Sequence, residues 1–247
     1  MNDNEKREKL LLRVLHLISN KYKNQAILKG GMYLRLLNSP RYTQDIDFVF
    51  LKDQSRKNIA TEIKDMLAQE DGITIEKTQL NSRGLFIDIK SENILAEIEI
   101  SIIEKLNTPS ETIATTALAK KLDMPNQMVT VMSRSESYSH KIAAALERDV
   151  LRDLYDISIF EPDTSFDLKT LTNRLSKLVI NRKKPVSISF TDAAKRLKER
   201  AKELSQEDLE RELHGLVPEK FLIGGLPMVT SSIYRLCQAL ESINTNS

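Results

Sequence analysis

The stretch LKGGMYLRLLNSPRYTQDIDFVF, residues 28–50, constrains the fold more than any other part of the chain. QAILK, which ends at Lys29, reads as a short strand, and Gly30 and Gly31 form a turn. MYLRLL then begins a helix, NSPRYTQ has loop composition, and DIDFVFL reads as a second strand. The chain has only seven glycines, and two stand together between a strand and a helix. Glycine permits a tight turn and lets a ligand approach the backbone closely. The first N–H groups of the helix that follows are open to an anion.

In a strand, residues two apart project to the same side, so Asp45 and Asp47 point together and Ile46 points away. Two carboxylates side by side repel, and a divalent cation is the simplest relief. Hard cations such as Mg²⁺ or Mn²⁺ take carboxylate oxygens together with substrate phosphates. The alternative is a solvated strand end carrying two acids. A glycine turn near a carboxylate pair offers both halves of a nucleoside triphosphate site: amides for phosphate and acids for metal.

ENILAEIEISIIEK carries a further acidic element. Ile98, Ile100 and Ile102 share one face, and Glu97, Glu99 and Ser101 share the other. If this strand lies beside DIDFVF, Glu99 or Glu97 becomes a third carboxylate or a general base. If not, the same alternation describes the exposed face of an antiparallel sheet. Asp88, in GLFIDIK, is a candidate by the same alternation.

Helical spacing covers residues 5–19 and 55–69, and β-rich segments lie near 72–79, 83–90 and 94–103. The character changes near residue 134, beyond which most segments look helical. We therefore expect an α/β region over 1–133 and a helical region over 134–247. Within the second, residues 133–160 read as two helices with a break near Asp149. Thr191 and Ser205 are expected N-caps, Ser205 forming a capping-box pattern with Asp208. PVSISF is read as a connection between helices, and Gly224 and Gly225 as a helix stop. Lys141 and Arg148 share one helical face. Arg148 reads as a solvent-facing basic edge. Asp153 and Asp156 are i, i+3 neighbours, with Arg152 adjacent, and read either as groups that orient Lys141 or an acceptor, or as an ion-pair network. His16, His140 and His214 lack metal-ligand spacing.

Composition removes several classes. The 37 basic and 35 acidic residues leave a net charge of +2, which argues against a bulk polyanion binder but leaves room for a local basic groove. Cys237 is the only cysteine, so neither an internal disulfide nor a thiolate metal cage can form, and an intracellular, cytoplasmic setting is expected. MNDNEKREK lacks a signal-type apolar core, and no run approaches the roughly 20 apolar residues of a membrane span. No membrane partner and no direct binding of duplex DNA are expected.

The combined pattern resembles the nucleotidyltransferase-fold superfamily in its AbiEii/AbiGii toxin version. LKGGMYLRLL…RYTQDIDFVF resembles the first motif, EIEIS the third-carboxylate strand, and HKIAAALERDVLRDLYDI the downstream Lys and Arg-Asp-aromatic-Asp motifs. These patches cover about residues 26–160 in the expected order; the remainder matches only in being helical. The resemblance implies an α+β fold, with a mixed-sheet nucleotidyltransferase core followed by a helical C-terminal domain that completes the active-site cleft. It implies Mg²⁺-dependent transfer of a nucleoside monophosphate from an NTP to an acceptor, a class that includes tRNA 3′ ends. Toxin–antitoxin and phage-defence systems of this type usually add a separately encoded antitoxin as partner. Carried over, Gly30 and Gly31 form the phosphate turn, and Asp45 and Asp47 hold metal, with Glu99, or in its place Glu97, as the third carboxylate ligand. Lys141 neutralises triphosphate charge, while Arg152, Asp153 and Asp156 complete the downstream motif. Many such enzymes carry Gly-Ser at the turn; here Gly-Gly is followed by Met32, so phosphate contact rests on backbone N–H groups.

Two other functions fit the same residues. One is nucleotidyl transfer to a small molecule or a protein side chain. The other is a non-catalytic module that binds nucleotide or antitoxin; intact Asp45, Asp47 and Lys141 argue against it.

Overall fold

The structure, a computed structural model, describes residues 1–52, 55–82, 84–182 and 184–244. The chain forms two compact units, Met1–Ser133 and Arg134–Ser247.

The first unit runs α1 (Asp3–Tyr22), β1 (Ala26–Lys29), α2 (Gly30–Leu36), β2 (Asp45–Leu51), α3 (Arg56–Ala68), β3 (Thr74–Leu80), β4 (Leu85–Ser91), β5 (Ile94–Ile103), β6 (Glu111–Ala114), α4 (Thr116–Lys121) and β7 (Met128–Val131). Its helices begin where local chemistry allows. The Asn2 side chain accepts from the Glu5 N–H and the Glu5 carboxylate reaches back, closing a capping box at α1. Ser55 caps α3 through the Asn58 N–H.

The strands form one mixed sheet in the order β3-β4-β5-β2-β1-β7-β6. β2 runs parallel to β5 and antiparallel to β1, and β1 pairs parallel with β7. The alternation of β2, β4 and β5 divides the sheet into two faces. Ile46, Phe48, Phe50, Ile87, Ile89, Ile98 and Ile100 are buried on one. α1 covers this face, as the edge-on contact of Tyr22 with Phe50 at 4.9 Å shows. Asp45, Asp47, Asp88, Glu97 and Glu99 occupy the other face, and all five are half-buried. Further along that face Ile27, Val49 and Met132 form a small apolar cluster.

Alternation in the sequence assigns nothing to residues 104–133, yet β7 lies inside the sheet. Four residues give too short a window for alternation to register, and only pairing with β1 and β6 defines the strand.

The second unit is helical: α5 (Arg134–Glu147), α6 (Leu151–Phe160), α7 (Leu168–Leu175), α8 (Phe190–Glu203), α9 (Gln206–Leu213), α10 (Glu219–Leu222) and α11 (Gly225–Asn244). Ala193, Ala194 and Leu197 of α8 and Ile233, Leu236 and Leu240 of α11 are buried in its core. The expected cap at Thr191 is corrected to Ser189, which accepts from the Asp192 N–H and receives the Asp192 carboxylate in return. The reciprocal capping box selects Ser189 because an acid stands three residues after it. Ser205 caps α9 as expected, accepting from the Asp208 N–H. PVSISF is a connection that makes one isolated bridge, Val186 with Leu178. Gly224 takes φ +74° between α10 and α11.

Candidate active site

The Gly30 turn is shaped by two separate demands. Its φ is +73°, a region that L side chains avoid, and a Cβ there would lie 1.9 Å from Asp47 Oδ2. The Asp47 carboxylate thus rests where a side chain would otherwise be. At Gly31 a Cβ would lie 2.3 Å from Thr43 Oγ1. Thr43 is buried, and its hydroxyl donates to Asp45 Oδ1 at 2.7 Å. The glycine doublet therefore seats the two aspartates: Gly30 admits Asp47, and Gly31 admits the threonine that orients Asp45. Thr43 is not among the residues that periodicity singles out; its TxDxD spacing was the available signal.

α2 is anchored from behind. The Arg35 guanidinium clasps Glu8, which is fully buried in α1, and donates to the Ser39 carbonyl. Lys121 approaches the same carboxylate at 3.5 Å. Arg35 and Lys121 also both lie over the Tyr42 ring, at 5.1 and 5.0 Å from its centroid. These contacts tie the loop before β2 to α1, α2 and α4.

Strand register sets the acids in two rows. One runs Asp88, Glu97, Asp45 across β4, β5 and β2; the other runs Phe86, Glu99, Asp47, Lys29 across β4, β5, β2 and β1. Both glutamates considered for the third carboxylate are thus in the acidic rows, but with different neighbours. Burial first, then the charges of Asp88, Asp45 and Glu99, push the Glu97 carboxyl above its ordinary range, and it shares a hydrogen bond with Asp88. Glu99 lies directly beside Asp47. Lys29 Nζ stands 3.4 Å from Asp47 Oδ1.

Among the described residues no group of three or more His, Cys, Asp or Glu is gathered as a ready-made metal site. The donor set still fits a hard divalent cation. Strand register places Glu99 beside Asp47 and Glu97 beside Asp45 on one face, a set of hard carboxylate oxygens. Magnesium is ordinarily held by one or two carboxylates plus phosphate oxygens and water rather than by an all-protein cage.

In the second unit Lys141 Nζ donates to Asp156 Oδ2 at 2.6 Å, and Asp156 is fully buried. Arg148 is not a simple solvated edge: it forks onto the buried Asp153 at 2.7 and 2.9 Å. Arg152 is exposed. The break between α5 and α6 is held by two residues that sequence reasoning missed. The Arg200 guanidinium donates to the carbonyls of Ala145, Arg148 and Val150, and Glu212 accepts from the Leu151 N–H at 2.8 Å, capping α6. His16 makes a structural contact, 3.2 Å from Thr115 Oγ1.

The fold has solved relatives. JHP933 from Helicobacter pylori aligns with a TM-score of 0.57 at 15% identity, over 100% of this chain and 97% of that one. MenT4, a nucleotidyltransferase toxin from Mycobacterium tuberculosis, aligns with a TM-score of 0.60 at 16% identity, over 96% of this chain and 84% of that one. No curated protein matches the chain in sequence. The family model described as nucleotidyl transferase AbiEii toxin, type IV TA system, matches residues 12–240. With that match spanning nearly the whole chain, and with the strand–glycine turn–helix–DxD arrangement behind it, the protein belongs to the AbiEii family of nucleotidyltransferase toxins.

Proposed function

We propose that this chain transfers a nucleoside monophosphate from an NTP to the end of an RNA, with a tRNA 3′ terminus as the acceptor, and acts as a toxin restrained by a separately encoded antitoxin, in a cytoplasmic phage-defence setting. The observation that carries the chemistry is the seating of Asp45 and Asp47 against the glycine turn. Asp45 and Asp47 would hold a divalent cation, Mg²⁺ or Mn²⁺, with Glu99 beside Asp47. When bound, that cation supplies charge neutralisation of phosphate oxygens.

The chain's own groups do the rest. In this reading the phosphate oxygens meet the first N–H groups of α2 at the Gly30 turn. The acceptor hydroxyl oxygen forms a bond to the α-phosphorus as the bond to pyrophosphate breaks. Glu99 accepts the hydroxyl proton. The family resemblance gives Lys141 the role of offsetting triphosphate charge, with Asp156 fixing its ammonium, and gives Arg152 and Asp153 the rest of the motif.

The test is incubation of the chain with each α-labelled NTP, Mg²⁺ and total RNA. Label is expected in RNA for the wild type, and none for Asp45→Ala or Asp47→Ala chains that remain folded. Label in protein or a small molecule instead would move the acceptor; full labelling by the double variant would remove the aspartates from catalysis.

A further inference from the structure

Neither the fold nor the chemistry above accounts for Lys29. It occupies the N-cap of α2, where a lysine has no acceptor to offer helix N–H groups and makes no side-chain capping bond. Its charge also has the sign that a helix N-terminus disfavours. What register gives it instead is Asp47, its partner across β1 and β2. The ammonium stands 3.4 Å from Asp47 Oδ1, with 26% of the lysine and 16% of the aspartate side chain exposed. That is longer than the roughly 2.7–2.9 Å of a tight charged pair. The other oxygen, Oδ2, lies over the bare Cα of Gly30. One carboxylate therefore meets a cation on one side and the phosphate turn on the other.

We propose that Lys29 is an exchangeable counter-ion of Asp47. Without nucleotide its ammonium holds the carboxylate against the repulsion of Asp45 and Glu99, which flank Asp47 in its own strand and across β5. When a metal-bound triphosphate arrives, Lys29 gives up Asp47 and pairs with a phosphate oxygen at the Gly30 turn. The flexible four-carbon stem lets the compact ammonium swing without moving β1. The inference rests on the nucleotide site proposed above. It makes Lys29 a specificity element for the triphosphate and a brake on metal binding in its absence.

The experiment uses the full chain with Lys29→Met and Lys29→Arg, each checked for folding by circular dichroism. Mn²⁺ alone is titrated by paramagnetic resonance, and transfer kinetics follow with ATP, CTP, GTP and UTP. Lys29→Met is expected to bind Mn²⁺ about two- to fivefold more tightly without nucleotide, because a partly exposed competing ion pair is gone. Its KM for the NTP is expected to rise about tenfold while kcat changes less, since the variant can no longer donate a charged hydrogen bond to phosphate. Lys29→Arg, which keeps the charge, is expected to follow the wild type in the Mn²⁺ titration. Unchanged or weaker Mn²⁺ binding by Lys29→Met, or Lys29→Arg behaving like Lys29→Met in that titration, overturns the exchange. A wild type that binds no Mn²⁺ with or without NTP removes the metal reading of Asp45 and Asp47, and the exchange falls with it. A wild type that binds Mn²⁺ beside an unaltered Lys29→Met removes the exchange alone.

Discussion

Lys141, proposed above to offset triphosphate charge, is also part of the structure of its own unit. Its ammonium lies 2.6 Å from a carboxylate of zero exposure. Deleting one partner of a buried pair leaves the other charge uncompensated, at a cost of about 3–5 kcal/mol. Lys141→Ala is therefore expected to lower the melting temperature as well as transfer. A double-mutant cycle with Asp156→Ala is expected to show a coupling of at least about 1 kcal/mol in urea unfolding. If Lys141→Ala melts with the wild type, the pair does not support the fold and the lysine is held for chemistry alone. Transfer by this variant needs to be read well below its own melting temperature. Lys141, Asp153 and Asp156 were legible as candidates from spacing. That Asp153 answers to Arg148 while Asp156 answers to Lys141 was not, because the pairing depends on the angle between α5 and α6.

At the scale of elements, strand register crowds Glu97 among acids on a partly buried face. Glu97 is pushed up by burial and by Asp88, Asp45 and Glu99. A carboxyl raised on folding binds its proton more tightly in the native state. The stability that proton brings is complete below the unfolded value of 4.5 and is lost as pH rises through the folded value. Glu97→Gln, neutral at every pH, is then expected to be more stable than the wild type at pH 7 without divalent cations. The two are expected to converge as pH falls below that value, as urea midpoints at both pH values would show. A Gln variant less stable at pH 7 would mean that the Glu97 anion is held by a favourable partner. The alternation of EIEIS announced a shared acidic face, but not that β5 runs parallel to β2. A one-residue slip in that register would remove Glu97 and Glu99 from the face altogether.

For the whole molecule, each unit carries its own buried set: Leu11, Leu15, Phe48 and Ile98 in the first, and Ile142, Leu154, Leu197 and Ile233 in the second. Residues 134–247 expressed alone are expected to give a helical circular dichroism spectrum and a cooperative melt; a gradual, featureless melt would show that this set is not a sufficient core. Cys237 is buried in that unit, its thiol pushed up to about 11 chiefly by burial, so it behaves as a small apolar residue. Among the described residues no helix is long and apolar enough to cross a membrane. What the sequence determined by itself is what depends on near neighbours: the period of each helix and strand, the glycine turn, the same-side projection of Asp45 and Asp47, and the change of character near residue 134. What the tertiary structure alone decided is everything that depends on register and approach between distant segments. Lys29 meets Asp47 because β1 pairs antiparallel with β2, and Arg200 reaches the α5–α6 break from more than fifty positions away from Ala145. Local periodicity is fixed by backbone geometry within a few residues, whereas these contacts exist only once whole elements have packed.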